Sequence, residues 1–199
     1  MSLLQYDEPR LVDALERLPR RLRAAFAAAS AERRLSAYAR LSNPTGKGVL
    51  DRLHSALGCL WDDLKGNLSN ARVLQEQLDS CMALLPEEEE GAPEEQVYAN
   101  DAVASVIYAI RARLTGGSKE AMWAARRAYE SVDHFVIARL NRTIIKRTSE
   151  PAIIAHPLVQ AELQYQQADM TQLRDVAPDE EMHKGAIVEL RRRARSVVI

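Results

Sequence analysis

Apolar residues recur at spacings of three and four along most of the chain, which is the period of an α-helix with one buried face. The clearest run is LDRLHSALGCLWDDL at 50–64. Similar runs follow at 74–85, 122–144, 159–173 and 182–194. No stretch alternates apolar and polar residues as a half-buried strand would. The pattern predicts an all-α fold, a single compact bundle of about seven or eight helices, with residues 1–199 as one domain.

Proline and glycine separate the helical runs. Pro19 precedes a helix that is predicted to run to about Leu41, and SNPTGKG at 42–48 predicts a turn. The glycine pair at 116–117 follows another apolar run, and one of the two predicts the left-handed residue that ends a helix.

An acidic stretch, PEEEEGAPEEQ at 86–96, has six carboxylates and no basic residue. Such runs are usually solvated, because they cannot bury enough apolar surface to order themselves. We expect a mobile loop between two halves of the helical array, with a role in binding a partner as the alternative.

The stretch NDAVASVIYAIRARLTGG at 100–117 combines a helical pattern with many small residues. Small side chains let neighbouring helices approach on more than one face, so this helix is predicted to be central. Asp101 stands at its predicted start, where a carboxylate accepts hydrogen bonds from exposed backbone amides. We interpret Asp101 as the cap, and a binding role for this acid is the alternative.

Charge and cysteine content argue against several classes of protein, among them nucleic-acid-binding and zinc-binding proteins. The 199 residues carry 27 basic and 28 acidic side chains, a net charge of −1, which makes nucleic-acid binding an unlikely role. Cys59 and Cys81 lack the paired spacing of a zinc site and are interpreted as buried thiols. The N-terminus does not read as a signal peptide, and no apolar run is long enough to span a bilayer. We therefore expect a cytoplasmic protein with no membrane contact and no cofactor.

Five segments resemble, in order and spacing, a bacterial family. They are ALERLPRRLRAAFAAASAERRLSAY, LDRLHSALGCLWDDLKG, NDAVASVIYAIRARLTGG, HPLVQAELQYQQ and ELRRRARSVVI, and the scattered, collinear resemblance that they carry extends over essentially the whole chain. The family is the YjaG-like group, known as domain of unknown function 416. The resemblance implies a compact all-α protein of the bacterial cytoplasm, and it implies no activity and no catalytic residues.

The chain departs from the family pattern at three places. The family tends to have proline and an aromatic residue around the position of Tyr38, where this chain has Ser36 or Ala37 and Leu41. The C-terminal residues 197–199 and the long acidic stretch also differ. If the C-terminal tail or the region around Tyr38 is a binding site, its specificity is expected to differ here.

A metal site is the most specific chemical alternative to a purely structural role for these helices. Di-iron bundles use Glu-x-x-His motifs on facing helices, together with further glutamates. The candidate ligands of this chain fall in three pairs, Asp51 with His54, Glu130 with His134, and Glu180 with His183. Only the last pair is a true Glu-x-x-His motif, so the favoured prediction is that no metal is bound.

Two other segments carry candidate binding residues. Arg191, Arg192 and Arg195 form the one basic cluster, which fits either a favourable helix C-terminus or a docking site for an acidic protein surface or a phosphate. The glutamine-rich run that contains Tyr165 and Gln166 has few charges, and it suits either a partly buried interface or a solvated helix.

These observations favour a non-enzymatic protein-interaction or regulatory module of the bacterial cytosol. An immunity-type binder and a homodimer are both within this class, so the expected partner is another protein or a second copy. The alternative is a metal- or small-ligand-binding helical bundle with enzymatic activity, built from the six candidate metal ligands. No nucleophile elbow and no phosphate-binding glycine loop supports an enzyme.

Overall fold

The fold was determined from a computed structural model, which describes residues 3–41, 47–66, 71–85, 94–143 and 150–197. The described residues form nine α-helices and no strand. In chain order these are α1 (Glu8–Glu16), α2 (Arg20–Leu41), α3 (Lys47–Leu64), α4 (Ala71–Met82), α5 (Glu94–Thr115), α6 (Ser118–Thr143), α7 (Glu150–Ile154), α8 (Pro157–Val176) and α9 (Glu180–Ser196). Because α7 has only five residues, eight longer helices build the bundle, and the predicted all-α fold is confirmed.

Helix α2 is the central element. It packs against α3, α5, α6, α8 and α9, and the whole stretch 24–29 (AAFAAA) is 0% exposed. Alanine is both the best helix former and the smallest side chain after glycine, so neighbouring helices can approach α2 from several directions. The predicted end of this helix near Leu41 is confirmed.

Helix α5 is the second central element, and it packs against α2 and α6. Ala102, Ala109 and Ala112 are 0% exposed, as the small residues of this stretch predicted. The predicted start near residue 100 is wrong, because α5 begins at Glu94. Glutamate and glutamine are good helix formers, and negative charge is favoured in a first turn, so residues 94–96 belong to the helix rather than to a loop.

This earlier start changes the role of Asp101. The residue lies two turns inside α5, where the backbone amides are already paired within the helix, so the predicted cap is wrong. The remainder of the predicted acidic loop, residues 86–93, lies outside the described residues. Asp101 is 5% exposed and therefore a buried carboxylate, which needs another explanation.

A glycine turn joins α5 to α6. Gly116 has a φ of +72° and donates its backbone N–H to Ala112 O at 3.0 Å, which ends α5 as predicted. A Cβ at this position would also lie 2.7 Å from Cδ of Arg20. The turn therefore requires glycine for its backbone conformation and for the close approach of α2.

The N-terminal segment covers a second, smaller apolar cluster. The cluster consists of Val132, Val136, Val159 and Leu163. Leu4 and Tyr6 pack on it, and the ring of Tyr6 stacks on Tyr129 with centroids 4.9 Å apart. The backbone N–H and C=O of Leu4 are both hydrogen-bonded to the side-chain amide of Gln160, at 2.9 Å each. The segment is thereby fixed between α6 and α8.

Within the described part of the chain, no helix combines the length and the apolar composition that crossing a bilayer requires.

Candidate functional site

Three consecutive charged residues of α2 are buried in the bundle. Glu32, Arg33 and Arg34, called here the charged triplet, are 4%, 2% and 4% exposed. Successive residues of an α-helix point about 100° apart, so the three side chains face different neighbours. Since a buried charge is costly unless it is paired, each direction must provide partners.

Arg33 faces α8 and is fully paired. Its Nε and Nη2 donate to the carboxylate of Glu162 at 3.0 and 3.1 Å, and its Nη1 donates to Asp169 Oδ2 at 2.5 Å. The other oxygen of Asp169 accepts from Arg193 of α9 at 2.5 Å. Burial alone would lower the pKa of Arg33, but the two carboxylates raise it above its usual range. This cluster ties α2, α8 and α9 together, and the Nε atom of Arg193 is its buried donor without a hydrogen-bond partner among the described residues.

Glu32 faces α3 and α9 and connects the core to the surface. Its Oε2 accepts from the indole N–H of Trp61 at 2.6 Å, and its Oε1 accepts from Nε of Arg195 at 2.8 Å. The guanidinium of Arg191 lies over the Trp61 ring, 5.7 Å from its centroid. The Nε atom of Arg191 lies 3.9 Å from Glu32 and has no hydrogen-bond partner. One buried carboxylate therefore positions two arginines that reach solvent.

These arginines belong to a basic surface. Lys65, Val188, Arg191, Arg192 and Arg195 line a shallow depression of about 360 Å³, called here the basic face. Lys65 follows the end of α3, and the other four residues lie on α9. Burial and the neighbouring charge of Arg195 lower the pKa of Arg191. Like charges held this close favour the approach of an anion.

Besides Arg191 and Arg195, which lie near Glu32, the other two cations of the basic face also have carboxylates nearby. Lys65 pairs with Asp62 at 2.7 Å, and Arg192 pairs with Glu189 at 2.5 Å, each within one turn along the chain. Exposed pairs of this kind contribute little to stability. Lys65 and Arg192 can therefore leave these nearby carboxylates and bind a carboxylate of a partner protein at small cost in free energy.

Arg34 faces α5, where pairing is incomplete. Its Nη2 donates to Tyr98 O at 3.1 Å, while its Nε has no hydrogen-bond partner. Burial lowers the pKa of Arg34 to about 10, despite the opposing charge of Asp101. Asp101 Oδ1 lies 3.6 Å from Arg127 Nη1, and its Oδ2 lies 4.0 Å from His134 Nδ1 and has no hydrogen-bond partner. Burial raises the pKa of Asp101, although Arg34, Arg127 and His134 act in the opposite direction.

The candidate metal ligands stay on separate helices. The pairs lie on α3 (Asp51, His54), α6 (Glu130, His134) and α9 (Glu180, His183). His54 Nδ1 lies 3.0 Å from Leu50 O, and the buried ring of His183 has Nε2 at 3.3 Å from Ala177 O. Glu130 accepts from Arg126 and Arg127 at 2.7 and 3.2 Å. Among the residues described, no three His, Cys, Asp or Glu side chains are grouped to hold a metal ion.

The glutamine-rich helix α8 divides its polar residues between the core and solvent. Gln166 is buried, and its amide nitrogen donates to Ala125 O at 3.1 Å and to Glu162 at 2.9 Å. The half-buried ring of Tyr165 lies 5.8 Å from the guanidinium carbon of Arg33. Four exposed positions, Gln164, Gln167, Ala168 and Thr171, form an uncharged stripe, which is followed on the same helix by the exposed Arg174 and Asp175.

The structure brings together some of the candidate residues predicted from the sequence. Arg191, Arg192 and Arg195 share one surface, and Asp101 lies near His134. The charged triplet, Trp61 and Lys65 were not predicted from the sequence as parts of a site. The signal was present in α2, because alanines surround the triplet and leave no polar stripe that could face water.

These features define an all-α bundle with buried charges at its centre and a basic face on one side. The chain belongs to the family described as protein of unknown function DUF416, whose model matches residues 10–197. The crystal structure of a DUF416 family protein from Shewanella baltica OS155, at 1.91 Å resolution, is similar to this chain, with a TM-score of 0.69 and 17% identity. The similarity covers 94% of this chain and 98% of that one and shows the shared fold. No curated protein matches the chain.

Proposed function

We propose that this chain is a non-enzymatic protein-interaction module of the bacterial cytoplasm that docks an acidic protein surface on its basic face. The observation that carries the proposal is the convergence of Lys65, Arg191, Arg192 and Arg195 from two helices on one depression. Arginine is enriched in protein interfaces, and complementary charge accelerates encounter and selects the partner.

The basic face is also partly fixed before any partner arrives. Arg195 is held by Glu32, and Arg191 lies over Trp61, so two of the four cations have restricted positions. Binding costs less when side chains are already ordered. Val188 is 49% exposed and gives the same surface an apolar contact. A regulatory or immunity-type binder would use such a surface.

A protein partner fits better than a nucleic acid. Affinity for nucleic acid comes mainly from many phosphate contacts made by an extended basic surface. This chain has a net charge of −1, and its cluster is confined to one depression. A local acidic patch on a folded partner matches both the size and the charge.

Paired variants test the proposal directly. Lysate of the source organism is passed over three immobilised proteins: wild type, Lys65→Glu with Arg192→Glu, and a control with Arg52→Glu and Lys119→Glu. Arg52 and Lys119 are exposed and lie outside the residues that line the basic face, so the control carries the same change of charge. Quantitative mass spectrometry should find an acidic protein retained by wild type and control and lost from the first variant. Equal retention by all three proteins would contradict the proposal.

Self-association is a second candidate function, and it rests on the uncharged stripe of α8. Gln164, Gln167, Ala168 and Thr171 follow helical spacing, and an uncharged surface is compatible with an identical copy of itself. Sedimentation of wild type against Ala168→Glu tests this candidate. A dimer that the added carboxylates dissociate would support it, and a wild-type monomer at all concentrations would exclude it.

A further inference from the structure

A groove between α1 and α8 is separate from the basic face. Its volume is about 260 Å³. Helix α1 provides Arg10, Leu11 and Ala14, and the N-terminal segment provides residues 4–7. Helix α8 provides the remaining lining residues, Leu163, Gln166, Gln167, Met170, Thr171 and Arg174. A groove of this size lies just below the usual range for sites that bind small molecules.

Two cations of the groove have no partner. Arg10 and Arg174 come from opposite walls, and neither guanidinium makes a hydrogen bond or an ion pair with another described residue. The carboxylate of Asp7 also lines the groove, but it accepts the backbone N–H of Arg10 at 3.0 Å as the cap of α1. The groove therefore carries two unpaired positive charges against one committed carboxylate.

Between these charges the groove is largely apolar. Leu11, Ala14, Leu163 and Met170 provide the apolar surface, and methionine adapts readily to the shape of a ligand. Gln166 uses both hydrogens of its amide nitrogen on Ala125 O and Glu162, so its carbonyl oxygen is the polar atom it can offer. The N-terminal segment is fixed by Gln160 and Tyr129, which gives the groove a preformed side.

We propose that this groove is a binding site for a small amphipathic carboxylate. Arg10 and Arg174 bind the carboxylate, because guanidinium groups match its geometry, and the apolar residues receive the hydrocarbon portion. A water molecule takes up about 30 Å³ in the liquid, so the groove holds a ligand of roughly ten non-hydrogen atoms. A medium-chain fatty acid or an acylated small acid has this chemistry.

Octanoate is a suitable probe, with 1-octanol as its uncharged counterpart. Calorimetry measures the affinity of both for wild type, for Arg10→Gln with Arg174→Gln, and for a control with Arg52→Gln and Lys119→Gln. We expect octanoate to bind wild type and control with equal affinity. Its affinity for the groove variant should be lower by a factor of about ten or more. We expect 1-octanol to bind weakly, and equally to all three proteins.

Methionine methyl resonances locate the binding independently. Met170 lines the groove, whereas Met82 and Met182 are exposed outside it. Octanoate should shift the methyl signal of Met170 and leave those of Met82 and Met182 unchanged. Any of three results would overturn the proposal: no binding of octanoate at millimolar concentration, equal affinity in the groove variant, or binding that leaves Met170 unperturbed. Because Arg10 and Arg174 lie outside the basic face, these results are independent of partner docking there.

Discussion

Arg33 and Glu162 face each other with two parallel hydrogen bonds, and both side chains are 1% exposed. The pair joins the central helix α2 to α8, and Asp169 binds the same guanidinium about two turns further along α8. Replacing a whole buried pair by apolar residues is often tolerated, but removing one member leaves a charge without compensation. The arrangement therefore makes α8 dependent on one side chain of α2.

Removal of Asp169 should be strongly destabilising. Asp169→Ala leaves Arg33 and Arg193 with one acceptor fewer in a buried place, and we expect the free energy of unfolding to fall by about 3–5 kcal/mol. Urea titration followed by circular dichroism measures the change. Asp175→Ala is the matched control, because Asp175 is exposed on the same helix. Its effect should stay within about 0.5 kcal/mol. Equal effects of the two substitutions would show that the buried cluster contributes nothing.

The sequence predicted the helices well but missed the buried charges. Helical periodicity and the glycine turn are local signals, and they correctly predicted the all-α fold, the end of α2 and the residue that ends α5. Burial of Glu32, Arg33 and Arg34 depends on five helices that surround α2, which no local pattern contains. Charged residues on a helix ordinarily indicate a solvated face, and only the surrounding alanines indicate the reverse.

The basic face could be predicted only in part, because some of its residues are distant from one another in the sequence. Arg191, Arg192 and Arg195 are adjacent in the sequence and form a visible cluster. Lys65 joins them from the turn after α3, more than 120 positions earlier, and such a contact follows from packing alone. The buried carboxylate of Glu32 that holds Arg195 is likewise distant in sequence.

The close approach of α5 to its neighbours can be tested by overpacking. Ala109 is 0% exposed, and Ala109→Leu should lower the free energy of unfolding by about 1–3 kcal/mol, because no space is available for the larger side chain. Thermal unfolding measures this change. Ala104→Leu on the same helix is the control, since Ala104 is only partly buried and should cost less. A neutral effect of Ala109→Leu would mean that the packing around α5 is loose.

The two thiols should differ sharply in reactivity. Cys81 is 1% exposed, and burial raises its pKa to about 11, whereas Cys59 is only partly buried. The thiolate is the nucleophile that attacks a disulfide reagent and displaces its leaving thiolate, so such a reagent at mildly basic pH should modify one thiol per folded chain. Cys59→Ser should abolish that fast reaction, and Cys81→Ser should leave it unchanged. Two equally fast thiols, or loss of the reaction in Cys81→Ser, would contradict this assignment.

The burial of Asp101 leads to a prediction of how the stability of the protein depends on pH. Its burial raises the pKa of the folded state above the ordinary 3.8, which means that the ionised carboxylate destabilises the fold despite the nearby arginines. The geometry agrees, because Oδ2 accepts no hydrogen bond and Arg127 is 3.6 Å away. As the pH rises, the unfolded chain loses this proton first and the folded chain later. The contribution of Asp101 to the free energy of unfolding therefore decreases as the pH rises from the pKa of the unfolded state to that of the folded state. It stays low at neutral pH.

Asp101→Asn should accordingly be more stable than wild type at neutral pH, and the difference should disappear below about pH 3.8, where Asp101 is protonated in both states. Denaturant titrations of both proteins across this range measure the difference. Asp13→Asn is the control, because Asp13 is exposed on α1 and its substitution makes the same chemical change outside the core. If Asp101→Asn were less stable at neutral pH and recovered in acid, the ionised Asp101 would be the necessary counterion of Arg34. That outcome would mean that the attraction of Arg34, Arg127 and His134 exceeds the cost of burying the carboxylate.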